Sequence, residues 1–172
     1  MLTQKQTTAV LTGLFFSGAA LAGSLTVDIH KVGKEGAQEK LGTVTAHQTE
    51  YGVVFQPDLK GLEPGAHGFH LHQHPSCEPG DDGTPAGAAG GHFDPRGTNN
   101  HGAPWGDGHM GDLPALHVDS NGSSTYAVLA PRITLDLLKN RALMIHSGGD
   151  NYADEPKPLG GGGKRVACGT IQ

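Results

Sequence analysis

Ser24-Leu25-Thr26-Val27-Asp28-Ile29-His30-Lys31 alternates without a break, setting Leu25, Val27 and Ile29 against Thr26, Asp28 and His30. A period of two with one apolar side is the signature of a half-buried strand. C-terminal to it, Val32 to Ala37 supplies a glycine-containing turn. Leu41 to His47 and Tyr51 to Leu59 read as the next two strands, with Pro57 marking an edge or a strand end in the second. Lys60 to Gly65 turns the chain into His67-Gly68-Phe69-His70-Leu71-His72-Gln73-His74. On a strand, side chains alternate between faces, so His70 and His72 share one face while Leu71 and His67 take the other. Ala115 to Asp119 and Ser123 to Leu129 form a hairpin about Ser120-Asn121-Gly122. Asn121-Gly122-Ser123 also fits the glycosylation pattern, but the turn chemistry outweighs it. Leu135 to Asn140 holds a helical turn, Ala142 to His146 is a strand ending in histidine, and Arg165 to Ile171 closes the chain. The expectation is an all-β fold: about eight short strands in a Greek-key β-sandwich or barrel of immunoglobulin-like architecture, with two long loops.

Composition agrees. The 172 residues suit one domain, 28 glycines and 11 prolines provide turns, and aromatics at 5% leave the core to Val, Leu, Ile and Ala. Residues 1–22 read as a secretory signal peptide: Lys5 is the basic start, Thr8 to Ala22 is apolar and small, and Ala20-Leu21-Ala22 is the cleavage signal. The apolar run falls short of the roughly 18–20 residues of a membrane span. No cysteine follows the cleavage site, which argues against a lipid anchor. Residues 23–172 are then the exported domain, expected in the periplasm and without a membrane partner. The formal charge of −5 becomes −6 once Lys5 is removed, and no basic surface for nucleic acid is present. Cys77 and Cys168 are the two cysteines, and an exported pair points to one disulfide. Its loop of about 90 residues is worth roughly 4–5 kcal/mol in the chain-entropy model.

From Gln73 to Pro114 the alternation stops, and Gly, Pro, Asn, Asp and His dominate. A loop this long inside a compact domain signals function or disorder, and its histidines give it a reason to be ordered. With the strands it carries His70, His72, His92, His101, His109, Asp112 and His146. Imidazole-rich sets suit copper or zinc, and a carboxylate among them suits zinc. No Cys-x-x-Cys pair is present, so a thiolate site is excluded. Spacing alone gives one or two imidazole-rich sites.

Gly65-Ala66-His67-Gly68-Phe69-His70-Leu71-His72, Gly91-His92-Phe93-Asp94-Pro95, His101-Gly102-Ala103-Pro104, Gly108-His109-Met110-Gly111-Asp112-Leu113-Pro114 and Arg165-Val166-Ala167-Cys168-Gly169 together resemble copper,zinc superoxide dismutase, in order and in spacing. The export signal and Gly148-Gly149-Asp150-Asn151-Tyr152 resemble its bacterial periplasmic branch. The resemblance implies one copper ion and one zinc ion per subunit. It makes His70, His72, His92 and His146 copper ligands, His92, His101, His109 and Asp112 zinc ligands, and His92 the bridge between them. Asp150 becomes the carboxylate that orients a ligand of each metal, Cys77–Cys168 the family disulfide, His67 a structural residue, and Arg165 and His92 the residues that act on substrate. The implied reaction consumes two superoxide anions and two protons and yields dioxygen and hydrogen peroxide. An anionic chain must attract that anion locally, through the metals, Arg165 and Lys157 or Lys164, and this enzyme class is itself a standard case of such steering.

The alternative within the same fold is a periplasmic copper/zinc binding or storage protein. A zinc hydrolase would need an open zinc position and a general base, which the four-ligand zinc set does not leave. His74 reads as a solvated loop histidine, and His30, His47 and His117 as surface or core-edge residues. A lone aromatic in a loop usually packs on its own domain, but the resemblance to the bacterial branch makes Trp105, in the metal loop, the expected contact of a homodimer.

Overall fold

The computed structural model describes residues 23–172; the signal peptide read at residues 1–22 lies outside them. The elements are β1 (Ser24–Gly33), β2 (Gly36–Thr49), β3 (Gly52–Lys60), β4 (Gly65–His67), β5 (Phe69–His72), β6 (Leu116–Val118), β7 (Ser123–Ser124), β8 (Val128–Ala130), α1 (Leu135–Leu138), β9 (Arg141–His146) and β10 (Arg165–Ile171). An eight-stranded antiparallel sheet runs β5-β9-β10-β1-β2-β3-β7, with β8 also on β3, and β4 and β6 form a separate pair. The first and last strands are neighbours in the sheet, so the two ends of the domain are joined by ladder hydrogen bonds. Among the described residues no helix is long and apolar enough to cross a membrane.

Strand β1 carries the alternation read from its sequence: Val27 and Ile29 are buried, Thr26 and Asp28 exposed. Bulges around His30 in its pairing with β2 reset the phase, so the next buried residue is Val32, and an extra residue in one strand has this effect. β2 starts earlier than its apolar pattern indicated because Gln38, Glu39 and Lys40 are all exposed and leave no alternation to read. Pro57 sits within β3 where β8 pairs with Val53 to Phe55 and β7 with Leu59 and Lys60, so position 57 faces the gap between them and needs no donor.

Two stretches read as single strands are each divided. Gly68 breaks the histidine-rich strand: its N–H donates to Gly148 O at 2.7 Å and its carbonyl accepts from His146 N at 2.9 Å. β4 therefore goes to β6 and β5 to β9. The Ser123–Leu129 stretch divides into β7 and β8, both on β3. The turn at Asn121-Gly122 forms as expected, with Gly122 at φ 80° and its N–H bonded to Asp119 O at 2.9 Å, but the strands it joins belong to different sheets.

Within the curled sheet, Phe55 and Phe69 meet edge-to-face at 5.4 Å, surrounded by Ile29, Leu71, Leu143 and Ile145, all fully buried. Each such side chain contributes about 1.5–3 kcal/mol of burial. Phe69 and Leu71 thus bolt β5 to the core, and the intervening His70 and His72 project to the sheet's other side. Cys77 and Cys168 are joined, across 91 residues of sequence, with Cα atoms 5.8 Å apart. The bond ties the long loop to β10.

Candidate metal centre

The loop returns beside β5 through backbone bonds. Leu71 N donates to Gly111 O at 2.9 Å, Phe93 N to Leu71 O at 2.8 Å and Gln73 N to Gly91 O at 3.1 Å. These bring His92 opposite His72 and Asp112 opposite His70. A glycine is required at 111, since a Cβ there would lie 2.2 Å from Leu71 O. His146 arrives at the end of β9, which pairs with β5 on its other edge.

The result is two buried groups with one shared member. His70, His72, His92 and His146 offer ligand atoms within 4.8 Å of one another, and so do His92, His101, His109 and Asp112. His70 Nδ1, His72 Nε2 and His146 Nε2 are buried without a hydrogen-bond partner. Their opposite nitrogens are committed: His70 Nε2 to Asp150 Oδ2 at 2.8 Å, His72 Nδ1 to Gly90 O at 2.9 Å and His146 Nδ1 to Gly163 O at 3.3 Å. A buried unpaired nitrogen is costly unless something occupies it, and a partner on the far nitrogen is what holds a ligating imidazole in one tautomer.

In the second group the Nδ1 atoms of His92, His101 and His109 converge on one oxygen, Asp112 Oδ1, at 2.9, 2.9 and 3.2 Å. Ligands about 2.0–2.1 Å from a tetrahedral zinc stand roughly 3.3 Å apart, close to these separations. Asp112 Oδ2 is held by Gly102 N at 2.8 Å. Asp150 joins the groups, accepting from His70 with one oxygen and from His101 with the other, both at 2.8 Å.

The groups differ in charge. Burial lowers the pKa of His70 to about 3 and of His146 to about 4, and pushes His72 well below its ordinary value. Burial opposes charge at His101 too, but hydrogen bonds to Asp112 and Asp150 raise it to about 9. Burial would raise both carboxylates, yet their histidine partners hold them well below the usual range.

Arg165 borders the first group. It donates from Nη1 to Ala86 O and from Nη2 to Gly90 O, both at 2.6 Å. Gly90 O also accepts from His72, so the guanidinium is set relative to that ring. Burial lowers its pKa, and it remains a cation. His67 belongs to neither group; its Nδ1 lies 2.6 Å from His146 O and its Nε2 2.7 Å from Glu63 O. His74, His47 and His117 are exposed, and with His30 stand outside both groups. Motif reading did not single out Asp154, whose Oδ2 accepts from His101 N at 2.9 Å, nor Arg132, which donates into the loop. No local pattern marks either.

Fold and geometry define a class: an all-β metalloprotein, built on a curled antiparallel sheet, with two histidine-rich sites that share an imidazole. Residues 40–171 match the family model for copper/zinc superoxide dismutase, and the chain belongs to that family. It is 54% identical over 174 residues to a Cu-Zn superoxide dismutase of Photobacterium leiognathi, covering 98% of this chain and 99% of that one. The solved Cu/Zn superoxide dismutase of Brucella abortus superposes with a TM-score of 0.85 at 48% identity, covering 87% of this chain and 100% of the other. A monomeric copper, zinc superoxide dismutase from Salmonella enterica gives 0.79 at 51% identity, with coverage of 87% and 100%.

Proposed function

We propose that this protein disproportionates superoxide to dioxygen and hydrogen peroxide at a copper–zinc pair. The observation that carries the reading is the set of three buried, unpaired imidazole nitrogens beside a histidine shared with a histidine–carboxylate group. His70 Nδ1, His72 Nε2, His146 Nε2 and the remaining nitrogen of His92 would hold copper. Nδ1 of His92, His101 and His109, with Asp112, would hold zinc. Copper supplies a one-electron couple, and zinc a fixed charge with no redox chemistry.

The chain's residues do the rest. Asp150 orients His70 and His101 together. His92, with Nδ1 directed to Asp112, would use Nε2 in turn for copper and for a proton, which it delivers to the reduced substrate. Arg165 has two N–H groups fixed on carbonyls; its remaining donors face the incoming anion. With Lys34 and Lys164 it lines a surface cavity of about 510 Å³, so local positive charge draws an anion to a chain whose formal charge is −5.

Residues 1–22 are proposed as the export signal and 23–172 as the periplasmic domain. Trp105, 70% exposed and 6.0 Å from Tyr152, is proposed as a contact between two copies. A sedimentation run that finds only monomer at micromolar concentration removes that contact.

Metal analysis and a superoxide-removal assay on the exported protein test the main reading. One copper and one zinc per chain with rapid turnover is the expected result. Both metals with no turnover would make the protein a metal store.

A further inference from the structure

Arg132 lies two residues beyond β8, on the connector to α1, far in sequence from the loop it contacts. Its Nε donates to Pro104 O at 2.7 Å, Nη1 to Gly108 O at 3.0 Å, and Nη2 to His109 O at 2.7 Å and Ala103 O at 3.5 Å. Among the described residues it makes no ion pair. Four of the five guanidinium N–H groups are spent on backbone carbonyls of one loop. Only a planar fork with five fixed donors can span four carbonyls in this way.

The mount is rigid. Ile133 is buried in the core, Leu135 N donates to Gln48 Oε1 at 3.0 Å, and Ala130 pairs with Val53 in the sheet. What it grips is intrinsically loose. Gly102, Gly106, Gly108 and Gly111 fall within ten residues, and glycine loses more backbone freedom on ordering than any other residue. Two of them cannot be replaced to stiffen the loop, since a Cβ on Gly108 would sit 2.5 Å from Gly102 N and one on Gly111 2.2 Å from Leu71 O. Order has to come from outside. His109 needs it most: its side chain is 10% exposed, against 2% or less for His92, His101 and Asp112.

We propose that Arg132 is a positioning residue for zinc: by clamping the Gly108 and His109 carbonyls, one on either side of the His109 Cα, to the sheet, it fixes the His109 ring in the zinc group and slows zinc release. The inference rests on the assignment of His92, His101, His109 and Asp112 to zinc.

The test uses the full exported chain loaded with zinc, as wild type, Arg132→Gln, Arg132→Lys and His109→Ala. Zinc transfer to a chromogenic chelator gives the release rate. Cobalt(II) loaded in place of zinc gives a visible spectrum that reports ligand geometry. Melting of the metal-free proteins reports the fold. Loss of an outer hydrogen bond to a metal ligand costs about 10–100-fold in affinity. Arg132→Gln should therefore release zinc about 10–100-fold faster with an altered cobalt spectrum and an unchanged metal-free melting temperature, and Arg132→Lys should fall between. If Arg132→Gln does not fold, the Lys variant alone decides. Wild-type release rate and cobalt spectrum in the Arg132 variants, with zinc lost in His109→Ala, would overturn the clamp. So would a metal-free melting temperature lowered as far as the zinc-loaded one, which would make Arg132 a fold residue only. Zinc retained in His109→Ala would overturn the zinc assignment itself.

Discussion

The two halves of the metal centre are built by different means. His70, His72 and His146 stand on β5 and β9, in register in one sheet and backed by Phe69 and Leu71 in the core. His101, His109 and Asp112 come from a loop without strand pairing of its own, held by backbone bonds to β5 and by side chains reaching in from elsewhere. The electrostatics differ as much. The strand half holds histidines that burial keeps neutral; the loop half holds a carboxylate that draws a proton onto His101. A neutral set of imidazoles suits an ion whose charge changes during turnover. A set with a built-in negative charge suits a divalent ion that stays as it is.

Removing one ligand from each half is the strongest way to break this division. His146→Ala should abolish copper uptake and reduce superoxide removal by more than the roughly 100-fold that losing an outer hydrogen bond costs, while zinc stays bound. His109→Ala should empty zinc and leave copper uptake measurable. Elemental analysis reads both. If either variant loses both metals, the halves are one cooperative unit and the division fails.

Asp150 is the exception, because its two oxygens serve one histidine in each half. Asp150→Asn keeps the shape but has only one acceptor oxygen. Both metals should weaken by about 10–100-fold, measured by competition with chelators. Loss confined to one metal would show that only one of the hydrogen bonds matters.

The halves were also unequally legible. β5 could be read locally, because alternation states which side chains face together, and His70 and His72 do share a face. The loop has no period. Its histidines and Asp112 were visible as residue types, but their roles came from motif resemblance, and Asp150 was visible only that way. Two strands are divided where the sequence shows none of it, because Gly68 and the Thr125–Ala127 interruption act through contacts distant in sequence. Gly68 is pulled aside by Gly148 and His146, about 80 residues on. Arg132 left no local trace, since its four acceptors are main-chain carbonyls that any sequence offers.

Arg165 tests whether the strand half binds substrate as well as metal. Its bonds to Ala86 O and Gly90 O position it without touching a candidate ligand directly. Arg165→Ala should leave both metals in place and slow superoxide removal by about tenfold at low ionic strength, with less difference at high salt. Wild-type rates at low salt would remove the residue from the mechanism.

The smallest effect separates the halves by protons alone. At neutral pH the metal-free protein carries a proton on His101, held to about 9, whereas His70 and His146 stay deprotonated down to about 3 and 4. Zinc must therefore displace a proton from His101, whereas the copper set gives up only the proton of the shared His92 ring. Loading zinc into weakly buffered metal-free protein near pH 7 should acidify the solution, and loading copper into the zinc-loaded protein should release about one further proton, from His92. Stability follows opposite slopes. The raised pKa of His101 stabilises the fold fully below about 6.5, and that contribution is lost as pH rises toward 9. The lowered values of His70 and His146 stabilise it above about 6.5 and are lost as pH falls toward 3 to 4. Each proton changes stability by at most about 1.4 kcal/mol per pH unit. The metal-free protein should thus melt highest near pH 6.5 and lower on both sides. His101→Gln should flatten only the alkaline side, because it removes the one proton the loop half holds. Flattening of the acid side instead would place that proton on the strand.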